Sequence, residues 1–200
     1  MDIPVTDQIH NHVFDGLPPG PRRALAQAAT VEFGRRGYHA TTTRHIAEHV
    51  GMSPAGLYVH YPSKAELLFT ISRIGHEAVL NDCQAAVENM AAPGDRLNAF
   101  VKTFTAWHAV NHNLARVLQY ELRALDPEHY KTIAAIRQRT EAFAAKVFTP
   151  LVSDQSKLHI HTLAILSLGI DVARWYTPGH SPEPDTLGDA YAELVRGLLR

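Results

Sequence analysis

Apolar residues recur at helical spacing along nearly the whole chain, and several of the runs are closed by a proline, a glycine or a capping residue. No strand-period run, internal repeat or low-complexity tract competes, so the chain is predicted to be all-α with about nine helices. The first run, Leu25, Ala28, Ala29 and Phe33, begins near Pro21 and stops at Gly37, with Arg35 and Arg36 favourably placed against the C-terminal dipole. Thr41, Thr42 and Thr43 offer caps to a helix of about two turns that turns Ile46, Ala47 and Val50 inward and ends at Gly51. Ser53 caps a third helix with Pro54 at its first position, where a missing N–H costs nothing, and Pro62 stops it. Ser63 caps a fourth, with Glu66 completing a capping box, and Leu67, Leu68, Ile71, Ile74 and Ala78 carry its inner face toward residue 90, a rod of roughly 40 Å.

Ala92-Pro93-Gly94-Asp95 breaks the chain, and two further stripes follow: Leu97, Phe100, Val101, Phe104 and Trp107, then Leu114, Val117, Leu118, Leu122 and Leu125. Ile133, Ile136, Thr140, Phe143 and Val147 mark a seventh helix. From Leu158 to Trp175 apolar residues cover most of the circumference, which predicts a helix covered on two sides; Leu187, Tyr191, Leu194, Val195 and Leu198 form a narrower last stripe. Residues 1–20 lack periodicity and end in Leu17-Pro18-Pro19-Gly20-Pro21, and they are read as a flexible arm.

Composition removes several classes. Of 200 residues, 46% are hydrophobic and 20% charged, an ordinary globular balance that excludes disorder and collagen. The lone Cys83 cannot form an intramolecular disulfide, no leader-like segment opens the chain, and no apolar stretch reaches the roughly 20 residues that a bilayer requires, so a cytoplasmic protein with no membrane partner is expected. The formal charge is -1, yet residues 21–66 hold six Lys and Arg against three Asp and Glu, so any affinity for nucleic acid has to come from this local +3 block.

Three short helices with a sharp turn at Gly51 satisfy the helix-turn-helix plan, in which the second helix of the pair enters the DNA major groove. Ser53, Ala55 and Gly56 are small and permit close approach to base edges. Tyr58 and His60 are long enough to reach the flanking backbone, and Lys64 opens the next helix where charge and dipole both favour an anion. The string Gly37-Tyr38, Ala40-Thr41-Thr42, Ile46-Ala47, Gly51-Met52-Ser53, Gly56-Leu57-Tyr58, His60-Tyr61 and Ser63-Lys64-Ala65-Glu66-Leu67 resembles the signature of the tetracycline-repressor (TetR) family of bacterial one-component regulators. The resemblance implies a helix-turn-helix domain over 21–66, a ligand-binding and dimerisation domain over 67–200, no enzymatic activity and no cofactor. It further implies a homodimer on double-stranded operator DNA. Ser53, Pro54, Ala55 and Gly56 would then face bases, Thr42, Tyr58, His60 and Lys64 phosphates, with Thr43 and Arg44 adding contacts from the second helix. The family usually carries an acidic residue where this chain has His45, so the capping box of the second helix is expected to be lost and His45 to face phosphate.

For the sensor half, Phe100, Phe104, Trp107, Tyr120 and Phe143 are candidate pocket lining, with His108, Glu121 and Arg123 as polar anchors; the plainer reading is that the aromatics fill a core. Gly169 through Gly179, with Tyr191 to Leu194, resembles a TetR subgroup that includes sensors of acyl-CoA thioesters. That implies a hydrophobic inducer and a dimer seam at Leu163, Leu166, Ile170, Ala173, Arg174, Tyr191, Leu194 and Leu198. The small Gly169 and Ala173 are expected to admit a neighbouring helix. Other readings compete: a metal-responsive regulator using His108/His112, His10/His12 or His159/His161, or a helical binding module without specific DNA affinity. Gly51-Met52-Ser53-Pro54-Ala55-Gly56 misses the spacing of a nucleophile elbow, and mid-helix Cys83 reads as an inert packed thiol.

Overall fold

A computed structural model describes residues 11–199. Among the described residues there are nine α-helices: α1 (Pro21–Arg36), α2 (Thr43–His49), α3 (Pro54–His60), α4 (Lys64–Val87), α5 (Pro93–Val110), α6 (His112–Tyr120), α7 (Pro127–Phe148), α8 (Leu158–Trp175) and α9 (Pro184–Leu198). The breakers act where the sequence places them: Pro21, Pro54, Pro93 and Pro184 sit in first turns, and α1 ends at Gly37 with φ +77°. No helix among the described residues is long and apolar enough to cross a membrane.

The expected arm needs correction over its described part. Residues 11–14 form a single 3-10 turn, Val13, Phe14 and Leu17 are buried, and Arg23 clasps the segment. Its guanidinium donates to the Asp15 carboxylate at 3.0 Å and, through Nε, to the Leu17 carbonyl at 2.7 Å. Burial of three apolar side chains outweighs the ordering cost that composition alone suggested. Residues 1–10, His10 among them, lie outside the described residues.

The chain forms two compact units, and their boundary differs from a cut after residue 66. The first unit holds residues up to Gly75 together with Asn113–Lys131; the second holds His76–His112 and Thr132–Arg200. The helix α6 joins the first unit through small residues. A side chain at Gly75 would meet Leu118 at 2.7 Å and Leu114 at 3.4 Å, and one at Gly34 would meet Asn113 at 3.5 Å, so α6 lies directly on α4 and α1. An amphipathic stripe states which face is buried but not which helix covers it, so the place of α6 in the first unit is visible only in the fold.

In the second unit, α5 lies against both α8 and α9. Gly188 brings α9 onto the α5 backbone, where an added Cβ would stand 2.7 Å from the Lys102 carbonyl oxygen, and Gly169 brings α8 onto the Phe104 ring. Phe100 is the hub of an aromatic core, edge-on to Phe148 at 5.3 Å and stacked with Phe104 at 5.7 Å, beside a second cluster of Ala109, Val172, Tyr176 and Leu187.

Candidate nucleic-acid interface

The turn between α2 and α3 is built from the Gly51 conformation. With φ at +68°, Gly51 lets its own N–H reach the Glu48 carbonyl (3.1 Å) and the Met52 N–H reach Ala47 (2.8 Å), a Schellman closure that ends α2 abruptly. Ser53 then accepts the Gly56 N–H at 3.1 Å and starts α3. Leu57 and Tyr61 are buried, which turns Pro54, Ala55, Tyr58 and Val59 outward.

The expected loss of the α2 capping box is overturned. Thr42 Oγ1 accepts the His45 N–H at 3.2 Å, and His45 Nδ1 accepts the Thr42 N–H at 3.3 Å. An imidazole nitrogen carries a lone pair in the ring plane, so it replaces the usual carboxylate oxygen of the box, and this nitrogen faces backbone rather than phosphate.

Lys64 is engaged within the first unit. Its ammonium donates to the carbonyls of Tyr38 and Thr41, both at 2.7 Å, and sits 4.2 Å from the centre of the Tyr38 ring. Burial pushes its pKa down, and the Glu121 charge opposes that shift. Two of its three donors join the end of α1 to the start of α2, so it is a tie within the first unit.

A second internal tie runs through Glu32. Burial raises its carboxyl pKa, but hydrogen bonds from Arg36 (2.8 Å) and with His49 (3.3 Å) outweigh this and hold it below the ordinary value. Thr41, fully buried, shares its hydroxyl proton between the Glu32 and Gly37 carbonyls. With α1 and α2 fixed in this way, the groups left at the surface are few. Thr42 is exposed with its oxygen engaged in the cap. Thr43 Oγ1 lies 3.3 Å from the hydroxyl of the half-exposed Tyr58, and exposed Arg44 is paired with Glu48 at 2.7 Å. His60 is partly exposed.

Val59 was missed by sequence reasoning. It is 80% exposed, the largest exposure of any large apolar side chain described. The signal was present: with Leu57 and Tyr61 inward, residue 59 has no inward position on a seven-residue helix.

The sensor residues do not gather as one set. Phe100, Phe104, Trp107 and His108 are buried in the second unit, and half-buried Phe143 lies 6.1 Å from Phe100. Tyr120 and Glu121 belong to the first unit; Tyr120 is exposed, Glu121 lies near Gly37, and Arg123 follows in a 3-10 turn. His108 sits with Nδ1 2.7 Å from the Phe104 carbonyl, which can only accept, so Nδ1 carries the proton. Burial pushes its pKa down to about 4, despite that hydrogen bond, with His76 adding to the shift. Trp107 Nε1 and Asn111 Oδ1 are buried on the same unit without a hydrogen-bond partner. An open groove of about 710 Å³ between α5 and α9 is lined by charged residues such as Asp95, Lys102 and Arg196, and is unlike the expected aromatic pocket.

The residues of the expected dimer seam are divided between the interior and the surface of the second unit. Leu166 and Ala173 are buried within the second unit, and Gly169 faces Phe104 of its own chain, so the close approach through small residues is made by α5. Leu163, Arg174, Leu194 and Leu198 are exposed, Ile170 and Tyr191 partly so, and exposed Ile160, Leu168 and Trp175 extend the surface. Among the described residues no group of three or more His, Cys, Asp or Glu is placed to hold a metal ion. His112 Nδ1 lies 3.0 Å from the Ala109 carbonyl, His159 faces Glu141 at 3.2 Å, and the buried Cys83 thiol has its pKa raised by desolvation.

Residues 25–71 match the family model described as bacterial regulatory proteins, tetR family, and residues 90–199 match the tetracyclin repressor-like C-terminal domain. The HTH-type transcriptional activator FasR of Mycolicibacterium smegmatis is 28% identical, over 92% of this chain and 85% of its own length. The HTH-type transcriptional repressor KstR2 of the same organism is 23% identical, over 90% and 91%. A bacterial regulatory protein of the tetR family from Rhodococcus RHA1 superposes with a TM-score of 0.81 and 38% identity, covering 89% of this chain and 96% of that one. AibR in complex with isovaleryl coenzyme A and operator DNA has the same fold, with a TM-score of 0.78 and 22% identity over 86% and 96%.

Proposed function

This chain belongs to the tetR family of bacterial regulatory proteins, and from that premise we propose that it is a homodimeric repressor released from its operator by a hydrophobic acyl-CoA thioester. The observation that carries the DNA half is the outward face of α3, held off the core by the Gly51 closure and the Ser53 cap. The ligand half is supported by the aromatic interior of the second unit. Trp107 Nε1–H and Asn111 Oδ1 lack partners there, and among the described residues no Lys or Arg is buried, so the uncharged, carbon-rich acyl group with its polar carbonyl suits it. The relatives named for repression and activation, and AibR crystallised with an acyl-CoA, support the same reading. The exposed apolar residues of α8 and α9 supply a surface for a second copy.

A ligand releases DNA only if it binds the non-binding conformation better than the DNA-binding one. A hundredfold loss of operator affinity corresponds to about 2.7 kcal/mol of coupling. The test is selection of a binding sequence from a random duplex library, followed by fluorescence anisotropy across salt concentrations with and without isovaleryl-CoA and longer acyl-CoAs. A dimer is expected to bind with steep salt dependence, from counterion release, and to lose roughly a hundredfold in affinity with acyl-CoA but not with coenzyme A alone. Unchanged affinity at saturating acyl-CoA would refute the ligand assignment, and tighter binding would refute repression.

A further inference from the structure

The exposed face of α3 is almost empty of hydrogen-bonding groups. Of its seven residues, Pro54 to His60, only Tyr58 and His60 carry a polar side chain, and the Tyr58 hydroxyl lies 3.3 Å from Thr43 at the foot of α2. Ala55 and Val59, one helical turn apart, form a strip on the same face. Both are exposed, and neither donates nor accepts. Arg44, the long cation of α2, is paired with Glu48 at 2.7 Å, and Lys64 donates to the Tyr38 and Thr41 carbonyls.

We propose that Val59, seconded by Ala55, is a specificity-determining contact that reads the C5-methyl group of a thymine in each operator half-site. This rests on the reading of the first unit as a DNA-binding head. The major-groove edges of guanine, adenine and cytosine present acceptors and donors, and an apolar side chain pressed on them strips water without replacing its hydrogen bonds. Thymine alone presents an apolar group there. A branched side chain that is 80% exposed in the free protein gains by covering that methyl and has nothing to offer the other three edges. The same geometry gives the short α3 its discrimination without an arginine fork. The tether from Tyr58 to Thr43 holds the helix in the orientation that keeps residues 55 and 59 foremost.

The experiment uses the full chain and the sequence selected from a random library. Each thymine of that sequence is replaced singly by deoxyuridine, which removes only the methyl, and affinity is measured by anisotropy for the wild type and for Val59→Ala. Because Val59 is exposed, the variant is expected to keep the wild-type melting temperature, which is checked in parallel. One thymine per half-site is expected to lose roughly fourfold on demethylation, the fold-change equivalent of about 0.8 kcal/mol for one buried methyl-sized group. In Val59→Ala that penalty shrinks toward none, and 5-methylcytosine at the same place binds the wild type better than cytosine. If operator binding is tight but no deoxyuridine position matters, or if the penalty persists undiminished in Val59→Ala, the methyl assignment is wrong and the DNA-binding reading stands. If no sequence is enriched at all, both fall.

Discussion

A lysine at the first turn of a helix beside a DNA-reading surface is ordinarily a phosphate ligand, and Lys64 has the right position in the chain for it. Its ammonium is instead spent on two backbone carbonyls at 2.7 Å and on the Tyr38 ring. Lys64→Ala is therefore expected to destabilise the fold by about 1–3 kcal/mol, the range for charged hydrogen bonds whose acceptors are left unpaired. In a chain of this size that lowers the melting temperature by several degrees. The salt slope of operator binding should stay as in the wild type. Thermal unfolding and salt-titrated anisotropy check the two halves; a slope smaller by about one with an unchanged melting temperature would return Lys64 to the phosphate backbone. The cap at His45 makes a related point. The residue type expected there was an acid, but the box needs only an acceptor, and an imidazole nitrogen meets that need.

At the level of elements, the limits of α1, α2 and α3 were legible, because caps, prolines and Gly37 and Gly51 fix those ends by local chemistry alone, whereas the break between α5 and α6 carries no such marker. What each helix packs against was not. The stripe of α6 fits any apolar surface, and Gly169 reads equally well as a seat for a neighbouring chain or for Phe104. The depth of these seats differs measurably. An added methyl at Gly188 meets the Lys102 backbone, 2.7 Å from its carbonyl oxygen and 3.1 Å from its Cα; at Gly169 it meets the Phe104 ring at 2.6 Å. A ring shifts more readily than a helix backbone. Gly188→Ala is thus expected to be the more damaging of the two, with overpacking of about 1–3 kcal/mol exceeding the helix-propensity gain of up to about 1 kcal/mol. Gly197→Ala, with nothing within 4 Å, should be neutral to stabilising. Urea midpoints of the three variants at constant m give the ranking, and equal midpoints for Gly188→Ala and Gly197→Ala would contradict the close seat of α9 on α5.

For the whole molecule, a formal charge of -1 leaves little net self-repulsion near neutral pH, so pH dependence of stability resides in particular buried groups. His108 is one whose effect has a definite sign. Folded, its pKa is about 4 because burial disfavours the imidazolium; unfolded, it returns to about 6.5. Between those values the unfolded chain holds a proton that the folded chain refuses. Stability from this group is therefore complete above pH 6.5 and falls as pH drops toward 4, by on the order of 3 kcal/mol. Urea unfolding between pH 4.5 and 7.5 should show a shallower decline for His108→Phe than for the wild type; parallel curves would mean that His108 does not titrate as its burial demands. The helix-turn-helix head was readable from a contiguous string of residues, whereas the sensor was not, since Phe100, Trp107 and Asn111 acquire meaning only from the neighbours that folding supplies.

The double grip of Lys64 has one more consequence. Its nitrogen is fastened to the Tyr38 and Thr41 carbonyls on the way into α2, and its backbone opens α4, so the entry to α2 and the first turn of α4 are held together. A pin through two plates acts in the same way: a displacement of the first turn of α4 pulls on the entry to α2.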